Sequence, residues 1–112
     1  SYTSLLSELT SFGYIVAAID PTYEVFATTL DGNRIAGFQA PGWSRPPAAT
    51  IRLYEQQRLD VWTADARFLL DKLNAIPNFS SRIDWQRAGA LGHSAGARAA
   101  VQLCQSDPRV KV

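Results

Sequence analysis

Arg87-Ala88-Gly89-Ala90-Leu91-Gly92-His93-Ser94-Ala95-Gly96 is the stretch whose reading decides the fold. Residues 87–91 are mostly small and apolar and read as a short strand. Gly92-x-Ser94-x-Gly96 follows without a pause. Ala99, Ala100, Leu103 and Cys104 then give one apolar side to a helix predicted over Ala95–Gln105, which Ser106-Asp107-Pro108 stops. A glycine-flanked serine between a strand and a helix has the pattern of a nucleophile elbow. The physical logic is specific. A serine hydroxyl near its free pKa is a weak nucleophile and must be presented to a general base. A sharp strand-to-helix turn lifts it clear of the backbone, at the cost of strained angles at the serine, and brings strand and helix so close that glycine is expected at both 92 and 96. The helix N-terminus then faces the reacting atoms, and the Ala95 N–H is placed to hold an oxyanion.

These residues make Ser94 the candidate nucleophile, the Ala95 backbone N–H an oxyanion-hole donor, and Gly92, His93 and Gly96 the supporting residues of the elbow. His93 is the chain's one histidine, but neighbours at the end of a strand point to opposite faces, so it is expected to turn away from Ser94. The general base is therefore expected outside these 112 residues. The one carboxylate after Ser94 is Asp107, at a helix exit, where capping or solvation is the expected role.

Working outward, Val110-Lys111-Val112 reads as the opening of a second strand. Upstream, Leu59, Trp62, Ala66, Leu69 and Leu73 recur at intervals of three and four and predict a helix over Thr50–Ala75, flanked by an Arg67–Asp71 pair and ended by Ile76-Pro77-Asn78. Residues 38–49, with Pro41, Gly42, Pro46 and Pro47, are expected to form a loop, long enough to be functional or mobile. Asp31-Gly32-Asn33 between two β-prone runs predicts a hairpin. At the front, Thr3–Phe12 reads as a short helix closed by Gly13. The non-alternating run Tyr14-Ile15-Val16-Ala17-Ala18-Ile19 reads as a strand covered on both faces. The order helix, strand, hairpin, long helix, strand, helix, strand predicts an α/β fold with a mostly parallel sheet and flanking helices.

Composition bounds the function. The chain has 112 residues, 46% hydrophobic and 19% charged, with a formal net charge of +1. That is one domain at most, too apolar for disorder and too nearly neutral for a strong electrostatic case for nucleic acid. No apolar run approaches the length of a membrane span. A single cysteine, Cys104, excludes an internal disulfide framework and a cysteine-based zinc site, and neither a metal nor a cofactor is expected. The chain opens in a helix, stops in a strand and contains no Met, so it reads as the central fragment, 1–112, of one larger domain truncated at both ends. Alone, it is expected to be poorly soluble and inactive.

Leu9-Thr10-Ser11-Phe12-Gly13-Tyr14-Ile15-Val16-Ala17-Ala18-Ile19-Asp20, Thr22-Tyr23-Glu24 and Leu30-Asp31-Gly32-Asn33-Arg34 resemble the central part of the plasma-type platelet-activating factor acetylhydrolases and their microbial relatives. So do Asp65–Leu73, Gly92–Gly96 and Asp107–Lys111. The resemblance implies a partial α/β-hydrolase fold and calcium-independent hydrolysis of a short or oxidised acyl chain from a phospholipid, or of a simpler carboxylic ester, through an acyl-enzyme on Ser94. It also implies that the second oxyanion donor, the triad Asp and the triad His lie outside the chain. Dienelactone and polyester hydrolases resemble the strand and elbow, but less of the rest. Ala95, Ala97, Arg98 and Pro21 depart from the family's usual residues, and Arg98 is expected to add positive charge near the serine. Two other readings compete: a different reaction on the same elbow, such as that of a peptidase or acyltransferase, and a non-catalytic scaffold. Acyl and head-group preference, oligomeric state and compartment are not encoded in these residues.

Overall fold

The computed structural model describes residues 2–39 and 47–112, which fall into two compact units divided between Pro41 and Gly42.

The first unit is a helix and a hairpin. Helix α1 (Thr3–Ser11) ends where glycine permits it: Gly13 takes φ 89°. The Tyr14 N–H reaches the Leu9 carbonyl (3.2 Å) and the Gly13 N–H the Thr10 carbonyl (3.0 Å). This is the Schellman closure that a C′ glycine allows. Strands β1 (Ala27–Leu30) and β2 (Arg34–Gly37) pair antiparallel, with Thr28 opposite Ala36 and Leu30 opposite Arg34. Their connection, Asp31–Asn33, turns through two left-handed residues, Gly32 (φ 72°) and Asn33 (φ 57°), so the residues that signalled a hairpin supply its geometry. Ala36 is the buried residue of the pair.

Between α1 and β1 the expected buried strand is absent. Residues 14–20 form no strand, and Tyr14 and Ile15 are 62% and 52% exposed. A run that is apolar on both faces needs a neighbouring strand and a layer on each side. Here β1 and β2 pair only with each other, and residues 14–19 are left without a ladder partner among the described residues.

The second unit is built on α2 (Ala48–Ala75) and α4 (Ala95–Ser106), with the one-turn helix α3 (Pro77–Ser80) between them. Of the expected loop 38–49, residues 40–46 lie outside the described residues, and Ala48 and Ala49 are already helical. Pro77 ends α2 because it drives Ile76 out of the helical region (φ −94°, ψ 108°), and then opens α3 as its first residue. Leu59 and Thr63 of α2 and Leu103 of α4 are the buried residues of these helices. Cross-helix bonds fix the register: Glu55 with Arg98 (3.0 Å), Gln56 and Asp60 with Gln102 (3.2 and 2.8 Å), Arg67 with the Ser106 carbonyl (2.9 Å). Numbers rise together on both helices, so α2 and α4 run in the same direction. Arg58 stacks on Tyr54 and Trp62 one turn to either side, at 5.6 and 4.8 Å from the ring centres, which accounts for Trp62 as a packing group.

The expected mostly parallel sheet is not formed. Among the described residues, helices dominate, and the only sheet is the antiparallel β1–β2 pair. The two segments read as strands around the elbow, 87–91 and 110–112, shrink to one parallel bridge, Ala88 to Val110. Its bonds are Lys111 N–H to the Ala88 carbonyl (2.9 Å) and Ala90 N–H to the Val112 carbonyl (2.6 Å). Two three-residue segments satisfy each other's backbone on one edge only, too little to seed a ladder. The fold class read from the sequence is thus corrected to a helical one.

Candidate functional site

The site is the turn between the Ala88–Ala90 bridge segment and α4. Ser94 is the N-cap of α4, with φ 54° and ψ −119°, a conformation that costs a residue bearing a Cβ on the order of 1–3 kcal/mol. Gly92 makes the turn possible. A Cβ added there would fall inside the contact radius of the Gly96 carbonyl group and 2.8 Å from the Ala97 nitrogen. All three are backbone atoms of the first helical turn, so nothing flexible can yield. Gly96 behaves differently: a Cβ there meets nothing within 4 Å, so the expected steric need for glycine holds at 92 and not at 96. Gly89 adds a second close approach, its added Cβ lying 3.0 Å from the Val112 carbonyl oxygen.

The hydrogen bonds of this turn are unusual for a serine N-cap. Such a serine normally accepts a bond from the second or third N–H of its helix. Ser94 makes no side-chain cap bond. The Gly96 N–H goes instead to the His93 carbonyl (2.9 Å), and those of Ala97 and Arg98 go to the Ser94 carbonyl (3.1 and 3.4 Å). The Ala95 N–H enters no backbone bond among the described residues. Ser94 and His93 are exposed. At the head of a twelve-residue helix there is thus a solvent-facing hydroxyl that does not cap its helix, beside an N–H without a backbone acceptor, at the end where the helix dipole is positive.

Arg98, expected to add positive charge near the serine, is paired across the helices. Its Nη1 is held at 3.0 Å by the Glu55 carboxylate of α2. The opposite end of α4 carries a network that sequence reading missed. Asp107 is not solvated: it is 5% exposed, and it accepts bonds from Arg109 N–H, Nε and Nη2 at 3.1, 2.9 and 2.6 Å. Arg109 also donates to Asp71 at 2.6 Å. The side-chain bonds from Arg109 outweigh burial and hold the Asp107 carboxyl down at about 2, while the two carboxylates push the Arg109 guanidinium upward. An acid pinned in this way is structural and does not serve as a triad acid. Asp71 and Arg67, read as partners of each other, instead bind Arg109 and the Ser106 carbonyl. The signal available in the sequence was the Asp107-Pro108-Arg109 turn, whose residues can close on themselves.

Cys104 is half-buried and free, and Trp85 donates to the Ser80 carbonyl at 3.3 Å. Trp43 lies outside the described residues. Among the described residues no group of three or more His, Cys, Asp or Glu is placed to hold a metal ion, and no helix is long and apolar enough to cross a membrane. Comparison of the chain with protein-family models, with curated proteins and with solved structures found no match.

Proposed function

We propose that the protein is a serine carboxylic-ester hydrolase that works through an acyl-enzyme on Ser94. The observation that carries this reading is the Ser94 turn itself: a strained N-cap serine whose hydroxyl is not used as a cap, directly before the unaccepted Ala95 N–H. Backbone strain at a residue whose side chain gains no local hydrogen bond from it points to function rather than to folding.

In the proposed reaction the Ser94 oxygen attacks the ester carbonyl carbon and its proton passes to a general base. The carbonyl oxygen becomes an oxyanion, which the Ala95 N–H and the positive end of α4 stabilise. Collapse breaks the carbon–oxygen bond to the alcohol, which leaves with the proton from the base. Water then attacks the acyl-serine, gives its proton to the same base, and releases the acid and the free hydroxyl. Asp107 takes no part, since its carboxylate is fully engaged by Arg109. His93 supports the turn through its carbonyl, which accepts the Gly96 N–H. The resemblance to the platelet-activating factor acetylhydrolases favours short or oxidised acyl esters of phospholipids, or simpler esters, as substrates.

The test is hydrolysis of 4-nitrophenyl acetate, of short-chain phospholipid esters and of peptides by the native polypeptide that carries residues 1–112. Ester hydrolysis that disappears in Ser94→Ala is expected. Undiminished ester hydrolysis in that variant, or amide cleavage exceeding ester cleavage, overturns the reading.

A further inference from the structure

Helical side chains lean toward the N-terminus of their helix and cover the turn before their own Cα. Arg98 sits one turn into α4, and its N–H donates to the Ser94 carbonyl at 3.4 Å. On that geometry its side chain leans toward the turn that Ser94 begins. Its guanidinium is met by Glu55 of α2 at 3.0 Å. Both partners remain open to water, at 54% and 43% exposure, so the pair is screened and loosely held. Arg98 also borders an open groove of about 380 Å³ between the two helices, lined by Leu59, Ala97, Val101, Gln102 and Gln105 as well. The groove's α4 wall is the helix face three, four, seven, eight and eleven residues after Ser94. A molecule with its ester at Ser94 and its remainder along this face passes the guanidinium on its way. A carboxylate or phosphate in that remainder can take the place of Glu55, because it offers the same charge and the same paired acceptor oxygens.

We propose that Arg98 is a specificity-determining residue that favours esters carrying an anionic group, and that Glu55 tunes the preference by competing for the same guanidinium. The proposal rests on the reading of Ser94 as the nucleophile. It makes opposite demands on two residues of one ion pair. Loss of the arginine removes the preference, whereas loss of the glutamate strengthens it by freeing the cation.

The experiment measures second-order rates of Ser94 labelling in the native polypeptide by three fluorophosphonates of matched length, with a neutral, a carboxylate and a phosphodiester tail. Mass spectrometry locates each adduct. The anionic-to-neutral rate ratio is expected to fall by about three- to tenfold in Arg98→Gln, to be largely kept in Arg98→Lys, and to rise about twofold or more in Glu55→Gln. Added salt should shrink the ratio in the parent protein. The two anionic tails separate carboxylate from phosphate recognition: a response of either one supports the proposal. A merely structural ion pair would slow all three probes alike and leave the ratios unmoved in both variants. That result, or ratios that move in the same direction in Arg98→Gln and Glu55→Gln, overturns the proposal and leaves the nucleophile standing. Absence of label on Ser94 from all three probes overturns both.

Discussion

The two ends of α4 are finished in opposite ways. At the C-terminal end the exit is held by several bonds. Arg67 caps the Ser106 carbonyl, the Asp107 N–H returns to Leu103 at 2.8 Å, and Arg109 donates to both Asp107 and Asp71. At the N-terminal end the backbone is strained at Ser94, the serine does not cap, and the Ala95 N–H has no backbone acceptor. Helix termini leave four orphan groups at each end, N–H donors at one and C=O acceptors at the other. The difference therefore lies in what the surrounding residues do with them. One end is closed by ion pairs and capping bonds, and the other leaves a hydroxyl and an N–H open, which is what the proposed reaction requires. A strained turn of this kind persists only when the structure around it over-determines it. The contacts between α2 and α4, helices whose buried residues are Leu59, Thr63 and Leu103, are what hold the helix that Ser94 begins.

Five variants should break or sharpen this contrast. The largest effect belongs to Ser94→Ala, which should lower ester hydrolysis by about a thousandfold or more, measured as kcat/KM, with no loss of thermal stability. Next, Gly92→Ala should destabilise the second unit by about 1–3 kcal/mol in urea unfolding, because the added methyl strikes fixed backbone. Gly96→Ala, a change of the same size four residues away, should be neutral or stabilising by up to about 1 kcal/mol, since its site is open and alanine is the better helix former. At the other end, Asp107→Asn should cost about 1–3 kcal/mol by leaving Arg109 without its buried partner. Its pH dependence has a definite sign. The folded-state pKa of Asp107, about 2, lies below its ordinary value of 3.8. The stability it contributes is therefore fully present above about pH 4 and is lost as pH falls toward 2, and acid unfolding of Asp107→Asn should lack that component. The last comparison is at the strained residue itself. Ser94→Gly should stabilise the protein by about 1 kcal/mol as strain is released, while abolishing activity.

What was legible in the sequence is what short-range chemistry determines. Gly13 closes α1, Asp31-Gly32-Asn33 turns the hairpin, Ile76-Pro77 ends α2, and Ser106-Asp107-Pro108 ends α4. Each needs only its neighbours, and each forms within two residues of where it was expected. The sheet was not legible, because a strand is defined by its partner. Tyr14–Ile19 has the composition of a covered strand, yet no ladder reaches it, and Ala88–Leu91 finds three residues to pair with rather than a sheet. The same limit explains the site. Gly92 and Ser94 announce a turn through their spacing. The pairing of Arg98 with Glu55, 43 residues away, and of Arg109 with Asp71, 38 away, carries no local signature.

The central claim is that the Ser94 hydroxyl is a nucleophile held on a strained turn. Its most direct measurement is the mass of the tryptic peptide Ala88–Arg98 after the native polypeptide is treated with a neutral fluorophosphonate. The account expects one phosphonyl adduct per chain, located on Ser94 and absent in Ser94→Ala. A native polypeptide that stays unlabelled, or that carries the adduct on another residue, contradicts it.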